Sequence, residues 1–263
     1  MGNPILGTEK SVKSFKQKDL IAFTRKFYIP SNMVLSIATS LNTEKVIRQL
    51  EHHFGNYRLA KVGERLKPFK KYTAEKAVIK KHSAQCHFIM GTVAPSLYQA
   101  DRMTVALLNN ILGGPGMNSK LNLGVREKYG YTYAIESGFN SYTDTGMFHV
   151  YLATDKKYLN KSIDLAIAEM KKLTDNKIGS LQLNQFKQQF KGQLALAKEN
   201  KSNVVISNAR SLLNFKKVTA IEDIYKKIDA VTSSQLMEAS AKYLNAKSRS
   251  YSSLLYESVG HEQ

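Results

Sequence analysis

"GGPGMNSKLNLGVREKYGYTYAI", residues 113–135, joins a glycine-rich turn, a short basic helix and the start of a tyrosine-rich strand. A phosphate cradle, a packing device or half of an active site could each produce such a stretch. A phosphate loop needs Gly-x-x-x-x-Gly-Lys-Ser/Thr, and "GGPGMNSK" does not supply it. Gly113, Gly114 and Gly116 are therefore read as giving positive φ and a close approach between one helix and the next element. Asn118 or Ser119 can cap the short helix over 118–128. Arg126 lies towards the end of that helix and Tyr133 on the strand after it, with Gly130 between them letting the chain reverse. A guanidinium can hold a peptide carbonyl or carboxylate, and a phenol can donate to a developing oxyanion. Spacing alone favours surface or core roles for both.

Outward from this stretch the chain alternates strands and helices. Upstream, 77–81 and 86–93 read as strands and 99–112 as a helix carrying Met103, Ala106, Leu107 and Ile111. Downstream, strands at 131–140 and 146–154 are joined by "SYTDTG" as a hairpin. Helices are predicted over 157–174, 180–200, 202–215, 219–228 and 233–243, then a strand over 249–257. Residues 55–74, polar and basic with Gly55, Gly63 and Pro68, read as a linker. Before it, Ser14 and Gln17 form a capping-box pattern for a helix over 14–28 that Pro30 stops. "NMVLSIATS" (32–40) reads as a strand, and a helix over 43–54 follows. The two ends echo one another: each is a capped helix with Leu20 or Leu236, an aromatic seven residues on (Phe27, Tyr243), a polar break and a strand.

At 263 residues and 43% apolar content, one large or two smaller domains can bury a core. The apolar runs, such as 33–38, are far too short to span a bilayer, and the N-terminus lacks the pattern of a secretory signal. Cys86 is the only cysteine, so no intrachain disulfide forms, and a reducing, cytoplasmic setting is the expectation. The net charge is +18, with Lys61, Arg65, Lys67, Lys70, Lys71, Lys76, Lys80 and Lys81 clustered around the linker. A solvated face explains them, or a docking surface for an anionic partner. No zinc-finger spacing or aromatic-rich RNA signature supports nucleic acid.

The histidines are His52, His53, His82, His87, His149 and His261. Neither His-Glu-x-x-His nor His-x-x-Glu-His occurs, so no helix presents two imidazoles on one face. His52 and His53 diverge by about 100° on a helix. His87 and His149 lie on strands as packed or hydrogen-bonded side chains, and no metal site is expected. There is no Cys-x-x-Cys and no Gly-x-Ser-x-Gly elbow.

The run from "LLNNILGGPGMNSKLNLGVREKYGYTYAI" through "ESGFNSYTDTGMFHVYLAT" resembles the second half of pitrilysin/insulysin-family zinc peptidases, the mitochondrial processing peptidase type included. The carriers are the glycine turn, "SKL", "VREKYG", a tyrosine and "YTDTGMF", through Arg126, Gly130, Tyr133, Tyr142, Asp144, Gly146 and Phe148. Pro115 interrupts the commoner triple glycine. Residues 1–54, with "ILGT" and "DLIAFTRKFYIPSNMVLSIATS", resemble the close of the family's first half.

The resemblance implies an α/β (α+β) fold: an antiparallel-rich sheet with helices on one face over 75–263, preceded by a remnant of the first, zinc-bearing half-domain at 1–54. It also implies that zinc sits in that first half or in a partner chain, not here. Arg126 and Tyr133 would then bind the peptide substrate, and the chain would be the non-catalytic, substrate-binding part of a zinc endopeptidase. The other reading is a peptide-binding or regulatory subunit of a two-chain, homo- or heterodimeric assembly. Substrate roles require both side-chain tips to be accessible and to face a concavity. Structural roles require a buried carboxylate for Arg126 and a core position for Tyr133.

Overall fold

The computed structural model describes residues 5–57, 69, 71–245 and 251–259. Most of the expected linker therefore lies outside the described residues, with Lys61, Arg65, Lys67 and Lys70, and so does the start of the last predicted strand. The chain divides into two compact units, Met1–Lys67 with Lys198–Thr219, and Pro68–Ala197 with Ala220–Gln263.

The second unit is built on five strands: β1 (Lys76–Lys81), β2 (Cys86–Ala94), β3 (Thr132–Ser141), β4 (Gly146–Thr154) and β5 (Ser252–Ser258). They lie in the order β1-β5-β2-β4-β3. Only β1 and β5 run parallel; the other three pairings are antiparallel. The β3–β4 hairpin turns through "SYTDTG" as predicted, with the Tyr142 N–H bonded to the Thr145 carbonyl at 2.7 Å. Strand alternation sorts the side chains. Cys86 and Met90 of β2 and Phe148, Val150 and Leu152 of β4 are buried, while His87, Ile89, His149 and Tyr151 between them are half-buried.

Helices cover one face. The helix α4 (Arg102–Gly113) sets Val105, Leu107, Leu108, Ile111 and Leu112 in the core. α5 (Leu159–Asp175) adds Ala166, Met170 and Leu173, and α9 (Ser233–Tyr243) adds Leu236, Ala239 and Tyr243. Each buried Val, Leu, Ile or Met side chain among these contributes about 1.5–3 kcal/mol by leaving water. Thr232 caps α9, its hydroxyl accepting from Gln235 N–H while the Gln235 side chain accepts from Thr232 N–H. α6 (Ser180–Glu199) packs Leu183 and Phe186, and α8 (Ile221–Asp229) packs Ile228. Asp101 joins α4 to α9 by accepting from the Tyr243 hydroxyl at 2.7 Å.

The first unit holds α1 (Glu9–Ser14), α2 (Gln17–Phe27), α3 (Thr43–Phe54) and α7 (Lys201–Phe215). None of its described residues is buried. The apolar stripe of α2 forms as its period predicted, yet Leu20 and Phe23 are 60% and 53% exposed. Two expectations fail here. Ser14 is not an N-cap: Thr8 caps an earlier helix, Ser14 ends it, and α2 restarts with Asp19 accepting from the Lys16 N–H. Residues 32–40 form no strand. Met33 is extended, and Met33, Leu35 and Ile37 are exposed between half-buried Val34 and Ser36, so the period-2 pattern survives. A strand also needs a ladder partner, and none pairs with it among the described residues.

Candidate functional site

The quoted stretch is first a packing device. Gly113 ends α4 against β3: a Cβ there would lie 2.4 Å from the Ser137 backbone nitrogen and 2.8 Å from Leu121 Cδ1. Positive φ is not what Gly113, Gly114 and Gly116 supply, contrary to expectation; among these turn glycines only Gly130 has it, at 64°. Their need is for closeness, since a Cβ added at Gly114 or Gly116 would also come within 3 Å of Asn110 or Gln189 atoms. Side-chain amides then latch the turn to α6. Asn118 and Gln189 exchange hydrogen bonds of 2.8 and 2.9 Å, and Asn110 Nδ2 donates to Gln193 Oε1 at 2.6 Å.

The short helix that follows is π-helical over Asn122–Glu127, with the Lys128 N–H reaching the Leu123 carbonyl, an i to i+5 bond. Leu121 and Val125 anchor it in the core. Gly124 rides directly on α5, where a Cβ would meet the buried Glu169 carboxylate at 2.4 Å. Glu169 is paired with Lys172 at 2.6 Å. With this face fixed, Arg126 is turned outward, exposed and without an ion pair among the described residues.

Gly130 reverses the chain, its N–H closing on the Arg126 carbonyl at 2.8 Å in the left-handed conformation that suits glycine at a helix end. β3 then begins with an irregularity. Thr132 stands opposite Thr154 and Ala134 opposite Ala153, so Tyr133 is the extra residue of a bulge. Its side chain is 57% exposed, and its hydroxyl donates to both Asp155 carboxylate oxygens, at 3.2 and 3.4 Å. Arg126 meets no buried carboxylate among the described residues, and Tyr133 is outside the core.

Several residues at this end carried no motif. Asp155 follows the last residue of β4, which the hairpin register sets beside the start of β3, and that pairing is the signal that points to it. Tyr129, Tyr131 and Tyr158 stack, with ring centroids 5.4 and 4.5 Å apart and interplanar angles of 25° and 13°. Lys128 lies 5.2 Å from the Tyr129 centroid and Lys157 4.7 Å from that of Tyr158. A cavity of about 310 Å³ lies between α5 and α9, lined by Ile167, Lys171, Ala241 and Leu244 among others, and neither Arg126 nor Tyr133 lines it.

The histidines are placed apart. His87 Nδ1 and the Tyr151 hydroxyl are 2.8 Å apart, a hydrogen-bonded pair as expected of a structural histidine. His149 lies over Gly138; burial pushes its pKa down against the raising influence of Glu136, and its Nδ1 is buried without a hydrogen bond. His52 and His53 sit edge to face on α3. Among the described residues no three His, Cys, Asp or Glu side chains come together as metal ligands. A zinc ion does not fit the described residues, and no step through one belongs to them. No described helix is long and apolar enough to cross a membrane.

Comparison with known proteins agrees with this architecture. The chain is 30% identical to an uncharacterized zinc protease of Bacillus subtilis over 88% of its own length and 56% of the relative's. An uncharacterized zinc protease of Rickettsia felis is 26% identical over 94% and 59%. A crystal structure from Pseudomonas fluorescens, described as a peptidase M16 inactive domain, superposes with a TM-score of 0.85 at 21% identity, covering 96% of this chain and 60% of that one. A Helicobacter pylori protease superposes with a TM-score of 0.80 at 19% identity, covering 95% of this chain and 61% of that one. The chain thus spans a little over half the length of the proteins it matches. Residues 14–190 match the family model described as the peptidase M16 inactive domain, and the chain belongs to that family.

Proposed function

We propose that this chain is the substrate-binding part of a zinc-dependent endopeptidase, with Arg126 and Tyr133 meeting the peptide. The observation that carries the reading is the exposure of both side chains where the π-helix and the β3 bulge adjoin. Its family, and relatives named as zinc proteases, support it. The zinc would come from a zinc-bearing half-domain, in the same precursor or in a separate chain. A cytoplasmic location belongs to the same proposal and rests on the single buried Cys86.

Each side chain has a task that its surroundings suit. Arg126, exposed and without an ion pair among the described residues, offers a planar fork for a peptide carbonyl or a carboxylate. The phenol proton of Tyr133 rests on Asp155 at distances long for an O–H donor, so exchanging it for a substrate oxygen costs little. Asp155 meanwhile holds the ring towards the end of β4.

The test reconstitutes the chain with a zinc-bearing half. Tyr133→Phe removes one hydroxyl from an exposed site. It should lower turnover by about 2–4 kcal/mol in barrier while leaving the unfolding midpoint unchanged. Arg126→Lys should also lower turnover, because a point charge cannot replace the fork. Wild-type turnover in both variants would leave the stretch a packing device and favour the non-catalytic subunit.

A further inference from the structure

We infer that the stack of Tyr129, Tyr131 and Tyr158, with Lys128 and Lys157 at its two ends, is a subsite for an acidic segment of the bound polypeptide. The inference deepens the proposed function and rests on it. The stack is assembled from two places in the chain. Tyr129 and Tyr131 flank the Gly130 reversal, and Tyr158 follows β4 in a 3-10 turn over Lys156–Tyr158. The start of β3 is tied to the end of β4 by the Thr154 hydroxyl, which donates to the Tyr131 carbonyl. That junction also carries Tyr133 and Asp155.

The stacked rings hold two ammonium groups in place. Lys128 and Lys157 each rest by a terminal ring of the stack, where the ring face attracts an ammonium group. Neither has an ion pair among the described residues, and neither does Arg126. The nearby acids are mostly engaged: Asp155 accepts from Tyr133, and Glu257 pairs with Lys156 at 3.2 Å. On the π-helix itself, Glu127 is the one acid set against these three cations. The +18 charge of the whole chain favours association with an acidic polypeptide over a basic one. Nucleic acid fits less well, because base stacking needs free ring faces and Tyr131 is sandwiched between Tyr129 and Tyr158.

The experiment titrates the 263-residue chain with short fluorescent peptides at about 0.15 M salt, where distant surface charges are largely screened. One peptide alternates Glu with Ala, its counterpart has Gln for every Glu, and a single-stranded oligonucleotide serves as a third probe. The Glu peptide should bind about three- to tenfold more tightly than the Gln peptide, as two partly exposed charge contacts allow. Lys128→Gln with Lys157→Gln should erase that preference and leave the Gln peptide unaffected. Lys177→Gln with Lys227→Gln removes the same charge from exposed positions elsewhere and should preserve it. Equal loss in both pairs, absence of any preference, failure of both peptides to bind, or tighter binding of the oligonucleotide would each overturn the subsite. Arg126→Gln should weaken both peptides, unlike the lysine pair, which should act on the Glu peptide alone. If Arg126→Gln changes neither peptide while the lysine effect persists, the placing of Arg126 on the peptide fails and the lysine pair still selects acidic charge.

Discussion

Gly113 ends α4 where no side chain fits, and replacing it with alanine tests the packing argument directly. The added methyl would meet the Ser137 nitrogen at 2.4 Å and the Ser137 hydroxyl and Leu121 Cδ1 at 2.8 Å. Ser137 is paired with Val150 in the β3–β4 ladder, so the nearest obstacle is backbone in a sheet and not a flexible tip. Overpacking of this kind costs about 1–3 kcal/mol, against a helix-propensity gain of at most about 1 kcal/mol. The net expectation is a loss of about 1–2 kcal/mol. Gly192 supplies the control. It lies inside α6, exposed, and a methyl added there would meet nothing within 4 Å, so Gly192→Ala should stabilise by about 0.5–1 kcal/mol. The same chemical change thus has opposite signs at two helical glycines. Urea unfolding followed by far-ultraviolet circular dichroism measures both, with stability read from the midpoint at constant slope. A Gly113→Ala midpoint at or above wild type, beside a raised Gly192→Ala midpoint, would refute the close-approach reading of the glycine turn.

Phe148 is fully buried in β4, and Phe148→Ala should cost about 3–5 kcal/mol in the same assay. Tyr251 is buried, its hydroxyl donating to the Tyr243 carbonyl, and burial holds its phenol well above the ordinary tyrosine range. A raised acid of this kind contributes stability that is complete below the unfolded pKa of about 10 and falls as pH rises towards the folded value. Tyr251→Phe should therefore flatten the loss of stability above about pH 10, at the cost of about 1 kcal/mol for the lost hydrogen bond near neutral pH; an unchanged alkaline slope counts against it. The open apolar faces of the first unit should drive concentration-dependent association, which Leu35→Ser with Ile37→Ser should weaken in sedimentation measurements.

Period and turn chemistry made most of the second unit legible. The short apolar run 86–93 marked β2, the strand at 146–154 marked β4, and "SYTDTG" marked the turn into it. The same logic misled at 32–40. Its pattern encodes a strand, but a strand exists only in a ladder, and local sequence cannot say whether a partner is present. The capping of α2 failed for a local reason: Ser14 is taken up as the last residue of α1, its hydroxyl donating to the Ser11 carbonyl, and Asp19 closes the start of α2 on the Lys16 N–H instead. The glycines of "GGPG" were readable as a packing device but not in detail, since close approach and positive φ both select glycine and only the folded chain separates them.

The site was legible as residues and not as geometry. Arg126 and Tyr133 were singled out by motif, yet each stands where regular structure is interrupted, one in a π-helix and the other in a β-bulge. Both irregularities insert a residue into an otherwise periodic ladder, so a reading built on periods of 3.6 and 2 passes over them. Gly124 shows why the helix is wound this way: the glycine lets it settle on Glu169, and the core contacts of Leu121 and Val125 leave Arg126 outside. Asp155 shows the same for the bulge, because Tyr133, displaced from regular pairing, finds its acceptor beyond the end of β4. A side chain can be exposed only where the core does not require it, and here the local break in periodicity is what leaves Arg126 and Tyr133 outside.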